Sequence, residues 1–311
     1  MAKRNTFCGS TLHHLREQRM FGFKRARAKA SANCPLCGAT PSRHGEIQGV
    51  DYFSCSSCDF IFADPELLRS VDAGEPLRRY DAEYWQNELA SARERSFGSS
   101  LARAAEAILY CRIPVNRFID VGTGPGYLLD AMSTYLPSHR DRFFGVEKFP
   151  PADGYCTSHP NYLRADLRDV GMPFECGVCI EVIEHLTPAM AANLASALAA
   201  SSVPGSLFLF NTGLTEYVRK EDPGYLDPYG RGHITSWSVT AARKVFEKEG
   251  FVVHPVPGKT WAFVVEKPGP KTSGTVRDRI WTAPAENRQL LTDPAMGEVM
   301  YILGRESALA Y

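Results

Sequence analysis

From Phe118 the chain runs F-I-D-V, then G-T-G-P-G, then Y-L-L-D-A-M: an apolar run, a glycine-rich turn, and apolar positions at helical spacing. This order predicts a buried strand over Phe118–Val121 and a helix that starts at Tyr127. The same reading predicts strands over Phe143–Val146, Tyr162–Asp166, Ser206–Asn211 and Phe251–His254, a further one in the apolar run from Phe174, and a last one over Met300–Gly304. Thr187 and Pro188 are the N-cap and first residue expected of a helix that runs to about Ala200, and another helix is expected over Ser238–Glu249. Upstream, L-A-R-A-A-E-A-I-L-Y-C from Leu101 is amphipathic and follows a helical pattern broken near Gly98. Residues 147–161 hold Pro150, Pro151, Gly154 and Pro160, which leaves no room for a full helix. The stretch Pro255–Gly297, with Trp261 and Trp281, reads as an insertion that helps cover a pocket.

Before these elements stand Cys34, Cys37, Cys55 and Cys58, two C-x-x-C pairs flanked by short apolar runs at Gln48–Phe53 and Phe60–Phe62. Each pair lets two thiolates point at one ion from a tight turn, and the second pair completes the tetrahedron that zinc accepts. Pro35 stiffens the first knuckle and Gly38 follows it. Two disulfides or a redox C-x-x-C are the alternatives; a reducing compartment disfavours the first, and the second needs no twin. Four sulfur ligands leave no open position for water or substrate, so this zinc is expected to be structural. Of the other five cysteines, Cys176 and Cys179 fall in a strand-like run and read as small buried hydrophobes.

A length of 311 residues allows about two domains, and 44% apolar with 23% charged residues is ordinary globular composition. Lys plus Arg equals Asp plus Glu at 35 each, but residues 1–33 carry eight basic side chains against Glu17 alone, so they are net +7 and the rest is net −7. A run of this kind is most often a solvated tail, with nucleic-acid contact as its sharper reading. It lacks the apolar core of a secretory signal, and Glu17 with few serines argues against a transit peptide. No run of 18 apolar residues follows it, so the expectation is a cytoplasmic protein with no membrane span. The domains expected are a basic arm over 1–33, a zinc ribbon over 34–64, a linker with N-terminal helices over 65–110, its linker part near 64–79, and a larger domain over 111–311.

Gly122, Gly124 and Gly126 remove side chains where the backbone turns sharply, and the helix that follows offers free N–H groups to an anion. The dinucleotide fingerprint needs its third glycine where Tyr127 stands, so plain NAD binding loses ground. The run D-V-G-T-G-P-G instead resembles motif I of the class I S-adenosylmethionine-dependent methyltransferases. That resemblance covers roughly residues 80–311 and implies an α/β fold, a Rossmann-like seven-stranded sheet with helices on both faces. It implies that Asp120, Gly122, Thr123, Gly124 and Gly126 meet the methionine part of S-adenosylmethionine, that Glu147 accepts from both ribose hydroxyls, and that Asp166 and Leu167 face the adenine. F-E-C-G-V-C-I-E-V-I-E-H-L, from Phe174, resembles the family's fourth strand and the motif after it, although Glu175 stands where an Asp is usual and is given no cofactor role. Glu181 joins the cofactor set, and Tyr80 and Tyr84 in R-R-Y-D-A-E-Y-W resemble an aromatic helix that closes over the cofactor.

The candidates for chemistry are Glu184, His185 and His233, since a histidine serves as a base near neutral pH. Glu181, Glu184, His185 and His233 also resemble the two-Glu, two-His metal site of small-RNA 3′-end 2′-O-methyltransferases. The ribbon joined to this domain resembles bacterial methyltransferases of natural-product or surface-polysaccharide pathways, and implies a small-molecule, sugar or lipid-linked acceptor. The alternatives are an RNA methyltransferase that uses residues 1–33 and the ribbon to hold phosphates, and a zinc-ribbon scaffold without catalysis.

Overall fold

The computed structural model describes residues 33–77, 82–272, 274–279, 282–298 and 301. The basic arm and Tyr80 therefore lie outside the described residues, apart from Asn33.

The cysteine-bearing segment builds three antiparallel strands, β1 (Ser42–Ile47), β2 (Val50–Cys55) and β3 (Phe60–Ala63). Gln48 does not join β2 as expected. With Gly49 it forms the hairpin turn, at φ +52° and +83°, the left-handed pair that matches strand twist. The expected linker is also more ordered than its prolines suggest, because Asp64 accepts from Glu66 N at 2.6 Å and caps α1 (Pro65–Asp72). Next come α2 (Ala82–Phe97) and α3 (Ser99–Tyr110), parted at Gly98, then β4 (Phe118–Val121), α4 (Tyr127–Tyr135), β5 (Phe143–Val146) and β6 (Tyr162–Leu163). Among residues 147–161 only a 3₁₀ turn at Asp153–Tyr155 forms, as the prolines require. The chain continues through β7 (Phe174–Ile180), α5 (Pro188–Ala200, capped by Thr187), β8 (Ser202–Asn211), α6 (Thr215–Lys220), β9 (Thr235–Ser236), α7 (Val239–Phe246), β10 (Val252–Pro255), β11 (Ala262–Glu266) and α8 (Ala285–Leu291).

The main sheet has seven strands in the order β10-β11-β8-β7-β4-β5-β6. The five strands β8, β7, β4, β5 and β6 are parallel, and β10 and β11 run antiparallel at the other edge. The last strand among the described residues is Ala262–Glu266; the strand expected over Met300–Gly304 lies outside the described residues apart from Tyr301, which is helical. The turn after Pro255 lets A-F-V-V-E fold straight back onto β10, so part of the expected insertion is sheet.

Strand periodicity sorts the core into two layers. Ile119, Cys179, Phe208, Phe210, Phe263 and Val265 face one way with α5 and α7, and Phe118, Val178, Leu207, Leu209 and Val264 face α3, α4 and α8. The first layer runs without a break into Tyr52, Phe60 and Phe62 of the cysteine-bearing segment. That continuity has a backbone cause, since β9 pairs with β3 and makes the small sheet four-stranded, in the order β1-β2-β3-β9. The cysteine-bearing segment and the main sheet lie in one compact unit. Among the described residues no helix is long and apolar enough to cross a membrane.

Candidate active site

Strand order reverses between β4 and β7, and at such a point the carboxyl ends of parallel strands open a crevice for ligand. Asp120 pairs there with Gly145 of β5 and Val178 of β7. Gly122 has φ +75°, and a Cβ on it would stand 2.5 Å from Val182 Cγ2. Gly126 has φ +82°, caps α4, and a Cβ on it would stand 2.8 Å from Tyr162 Cδ2. Both positions need glycine for conformation and for space. Trp85 of α2 packs on Gly124, and its six-membered ring would lie 3.6 Å from a Cβ there. Half-buried Tyr84 sits beside Trp85, at 4.9 Å between ring centroids. Among the described residues of that aromatic motif, Trp85 is the one set against Gly124.

The Thr123 hydroxyl donates to Asp120 Oδ2 at 2.6 Å. Burial nevertheless pushes the Asp120 carboxyl up to about 7, with the Thr123 bond opposing and the Glu147 charge adding to the rise. Glu147, just past β5, accepts from Gly124 N through Oε2 and from Phe149 N through Oε1, each at 2.8 Å. Burial raises its pKa too, against the pull of these N–H donors. A carboxylate spanning the glycine loop in this way has two oxygens placed for a pair of adjacent hydroxyls. Leu167 is buried close by, whereas Asp166 caps the 3₁₀ turn Leu167–Asp169 and pairs with Arg168 and Lys148, both at 2.9 Å. The Arg168 guanidinium, then Lys148, holds its carboxyl well below the usual range. Glu175 lies away from the crevice and accepts from the Asn116 and Arg117 amides.

Beyond β7 the chain makes no α-helical turn. Glu181 takes φ +54° and a 3₁₀ turn follows over Ile183–His185. This brings Glu184, His185 and His233 together, with one ligand atom from each within 4.8 Å of the others. Glu184 is fully buried and accepts from the Tyr225 hydroxyl at 3.0 Å, while its Oε2 has no hydrogen-bond partner. The Glu181 residue is exposed, but its carboxyl is turned in beside Glu184 and accepts from Asn211 Nδ2 at 2.9 Å. Burial raises both glutamates, and the neighbouring carboxylate raises Glu181 further. His185 Nδ1 is 3.0 Å from Gly232 O and His233 Nδ1 is 2.7 Å from Tyr225 O. A carbonyl only accepts, so each neutral ring carries its proton on Nδ1 and a lone pair on Nε2. His233 is 6% exposed, and burial, with His185 beside it, pushes its pKa down to about 3. Tyr225, which no motif announces, joins these parts through its hydroxyl on Glu184 and its carbonyl on His233.

The four cysteines also converge. Sγ of Cys34 and Cys58 are 3.6 Å apart and those of Cys37 and Cys55 are 3.4 Å apart, with all four within 4.8 Å. These separations are too long for disulfides, and a tetrahedron of ~2.3 Å zinc–sulfur bonds has sulfurs about 3.8 Å apart. The residues fit a zinc ion.

An open α/β sheet whose switch point carries a glycine loop, a bridging carboxylate and the start of a helix has the crevice at which such sheets bind ligands. The chain belongs to the methyltransferase-domain family, whose sequence profile matches residues 83–256. Human N-acetylserotonin methyltransferase in complex with S-adenosylmethionine is similar in structure at TM-score 0.45 and 14% identity, over 66% of this chain and 60% of that one. An S-adenosylmethionine-bound amino pentose methyltransferase of calicheamicin biosynthesis from Micromonospora echinaspora gives 0.44 and 18% over 61% and 98% of the two chains. The 1,6-didemethyltoxoflavin-N1-methyltransferase of Burkholderia thailandensis gives 0.42 and 13% over 73% and 99%. The chain thus spans about three fifths of the first of these proteins. A search of curated proteins found no match.

Proposed function

We propose that this enzyme methylates a small-molecule, sugar or lipid-linked acceptor, with S-adenosylmethionine held by Asp120, Gly122–Gly126, Glu147, Leu167 and Glu181, and with His185 as the proton acceptor. The observation that carries the reading is Glu147 bridging to Gly124 N beside Asp120. When bound, the cofactor supplies a sulfonium methyl carbon, open to in-line displacement with S-adenosylhomocysteine as leaving group. Glu147 takes the ribose hydroxyls in place of its backbone donors. The glycine loop lets main chain approach the cofactor, and Trp85 covers it. His185 Nε2 takes the proton of the attacking group, while Nδ1–H on Gly232 O fixes the tautomer. His233, kept neutral by burial, packs edge-on at 4.9 Å and holds the His185 ring in place. Asp166 joins the adenine only by exchanging part of its ion pairing with Lys148 and Arg168.

Zinc in the four-cysteine centre is structural in this account. Glu184, His185 and His233 are also a donor set that suits a divalent cation, and in that case His185 is a ligand and no longer a base. Metal analysis separates the two: one zinc per chain supports the base, and a second equivalent that survives loss of the cysteines supports the ligand set. A small acceptor is supported by the net −7 of the chain beyond residue 33, which gives phosphates no overall attraction. Radiolabelled methyl transfer to nucleotide-sugar and phenolic panels, with RNA as the competing substrate, tests this directly. Transfer to RNA alone would replace the reading.

A further inference from the structure

Resting on the site above, we infer that the cysteine-bearing ribbon is a positioning element for the histidine pair, and that Tyr52 is the residue through which it acts. Tyr52, fully buried on β2, donates its hydroxyl to His233 O at 2.8 Å, across 181 positions of chain. Directly after His233, Ile234 O accepts from Ala63 N at 2.8 Å, and β9 pairs with β3 through Ile61 with Ser236 and Phe62 with Thr235. Ser238 then donates to the carbonyl of Cys58, in the second cysteine knuckle, at 3.0 Å. Every residue of the segment 233–236 is thus tied to the ribbon by backbone pairing or by Tyr52, and Phe60 packs on Trp237 at 4.8 Å between centroids.

The opposite side of the same segment grips the turn that carries Glu184 and His185. Ile234 N donates to Glu184 O at 3.0 Å, and Trp237 Nε1 donates to Ile183 O at 3.0 Å. The Thr235 hydroxyl lies 3.2 Å from each of the Ile183, Glu184 and Leu186 carbonyls. Residues 233–238 are therefore a strap between the cysteine knuckle and the catalytic turn, and His233 sits on it. A short strap has little stability of its own, so its geometry follows whatever holds its two sides. Cys55 ends the strand that carries Tyr52 and Cys58 supplies a carbonyl to the strap, so the order of the cysteine centre reaches the histidines through two hydrogen bonds and one strand pair. This gives the ribbon a role that needs neither an open coordination site nor nucleic acid.

The test uses the full chain with its metal and the Tyr52→Phe variant, which keeps the ring and removes the hydroxyl. Hydrogen exchange of residues 233–238 and 183–186 is expected to quicken about five- to tenfold in the variant, with metal content unchanged and residues 118–126 and 143–147 as slow as in the parent. Nitrogen-15 histidine spectra are expected to show the Nδ1–H signals of His233 and His185 displaced and the ring nitrogen signals of His159 and His254 unmoved. A loss of stability without repositioning does not produce that pattern. Chelation of the metal from the parent chain is expected to quicken the same two segments first. Should chelation unfold the chain, the metal-replete Tyr52→Phe variant decides alone. Parent-like exchange and parent-like histidine signals in that variant would overturn the inference. S-adenosylmethionine binding is measured alongside, so that lost cofactor binding in the parent chain counts against the proposed function, while the strap stands or falls on exchange.

Discussion

Asp120, Thr123, Gly124 and Gly126 lie within one turn of chain, and their geometry is imposed by neighbours in sequence and by the two strands that flank β4. His185 and His233 come from distant stretches, and each Nδ1 is fixed by a carbonyl whose own position depends on Tyr225, on β9 or on the ribbon. The glycine loop is made by what cannot fit, since a Cβ at residue 122 or 126 collides with Val182 or Tyr162. The histidine pair is made by hydrogen bonds that many parts of the molecule must supply together. The first design tolerates change elsewhere in the chain, and the second transmits it.

Breaking the histidine side should show in turnover and leave affinity alone. His185→Ala is expected to lower single-turnover methyl transfer by a factor of about 10² to 10⁴ while S-adenosylhomocysteine affinity stays within about twofold, measured by calorimetry on the same preparation. Equal turnover in the variant removes His185 as the base. On the glycine side the ranking reverses. Gly122→Val is expected to weaken cofactor binding at least 100-fold, about 2.7 kcal/mol, because the new side chain meets Val182 and the left-handed backbone resists it. Glu147→Ala should weaken binding about 10- to 100-fold, since the carboxylate that accepts from Gly124 N and Phe149 N is also the group offered to the cofactor. Parent-like affinity in both variants would leave the loop as an ordinary turn.

The smallest effect is also the most local. Asp120 holds its proton up to about 7 in the folded chain but only to about 3.8 when exposed. Between those values the folded state binds the extra proton, so the stability tied to Asp120 is complete at the acid end and is lost as pH rises through 7. Removing the charge with Asp120→Asn is expected to flatten the apo-protein's stability profile between pH 4 and 7 by at most ~1.4 kcal/mol per pH unit, read from denaturant titrations. Parallel profiles for parent and variant would mean that Asp120 is ionised throughout.

The same contrast explains what the sequence made legible. Phe118–Val121, the glycine loop, Phe143–Val146 and the Thr187-Pro188 helix start depend on short-range sterics and caps, and each forms where local patterning placed it. The cysteine spacing likewise brought four sulfurs together. Ala262–Glu266 was missed as a strand because it lies inside the stretch read as an insertion, and only the fold-back after Pro255 brings it onto β8. Tyr225 and Tyr52 carried no signal because each is defined by a partner far along the chain, Glu184 for one and His233 for the other. Asp166 was legible as an acid, but its engagement by Lys148 and Arg168 is a matter of folded geometry. Trp85 stood in the motif that drew attention to Tyr80 and Tyr84, and only the approach of α2 to Gly124 singles it out.

The central claim is that the crevice at the β4–β7 switch point holds the sulfur cofactor through Glu147 and the glycine loop. Calorimetric titration of the zinc-replete chain and of Glu147→Ala with S-adenosylmethionine, S-adenosylhomocysteine and NAD tests it in one series. The account predicts micromolar binding of both sulfur ligands to the parent chain, a loss of about tenfold or more in the variant, and no heat from NAD. Binding of NAD, or sulfur-ligand affinity equal in parent and variant, would contradict it.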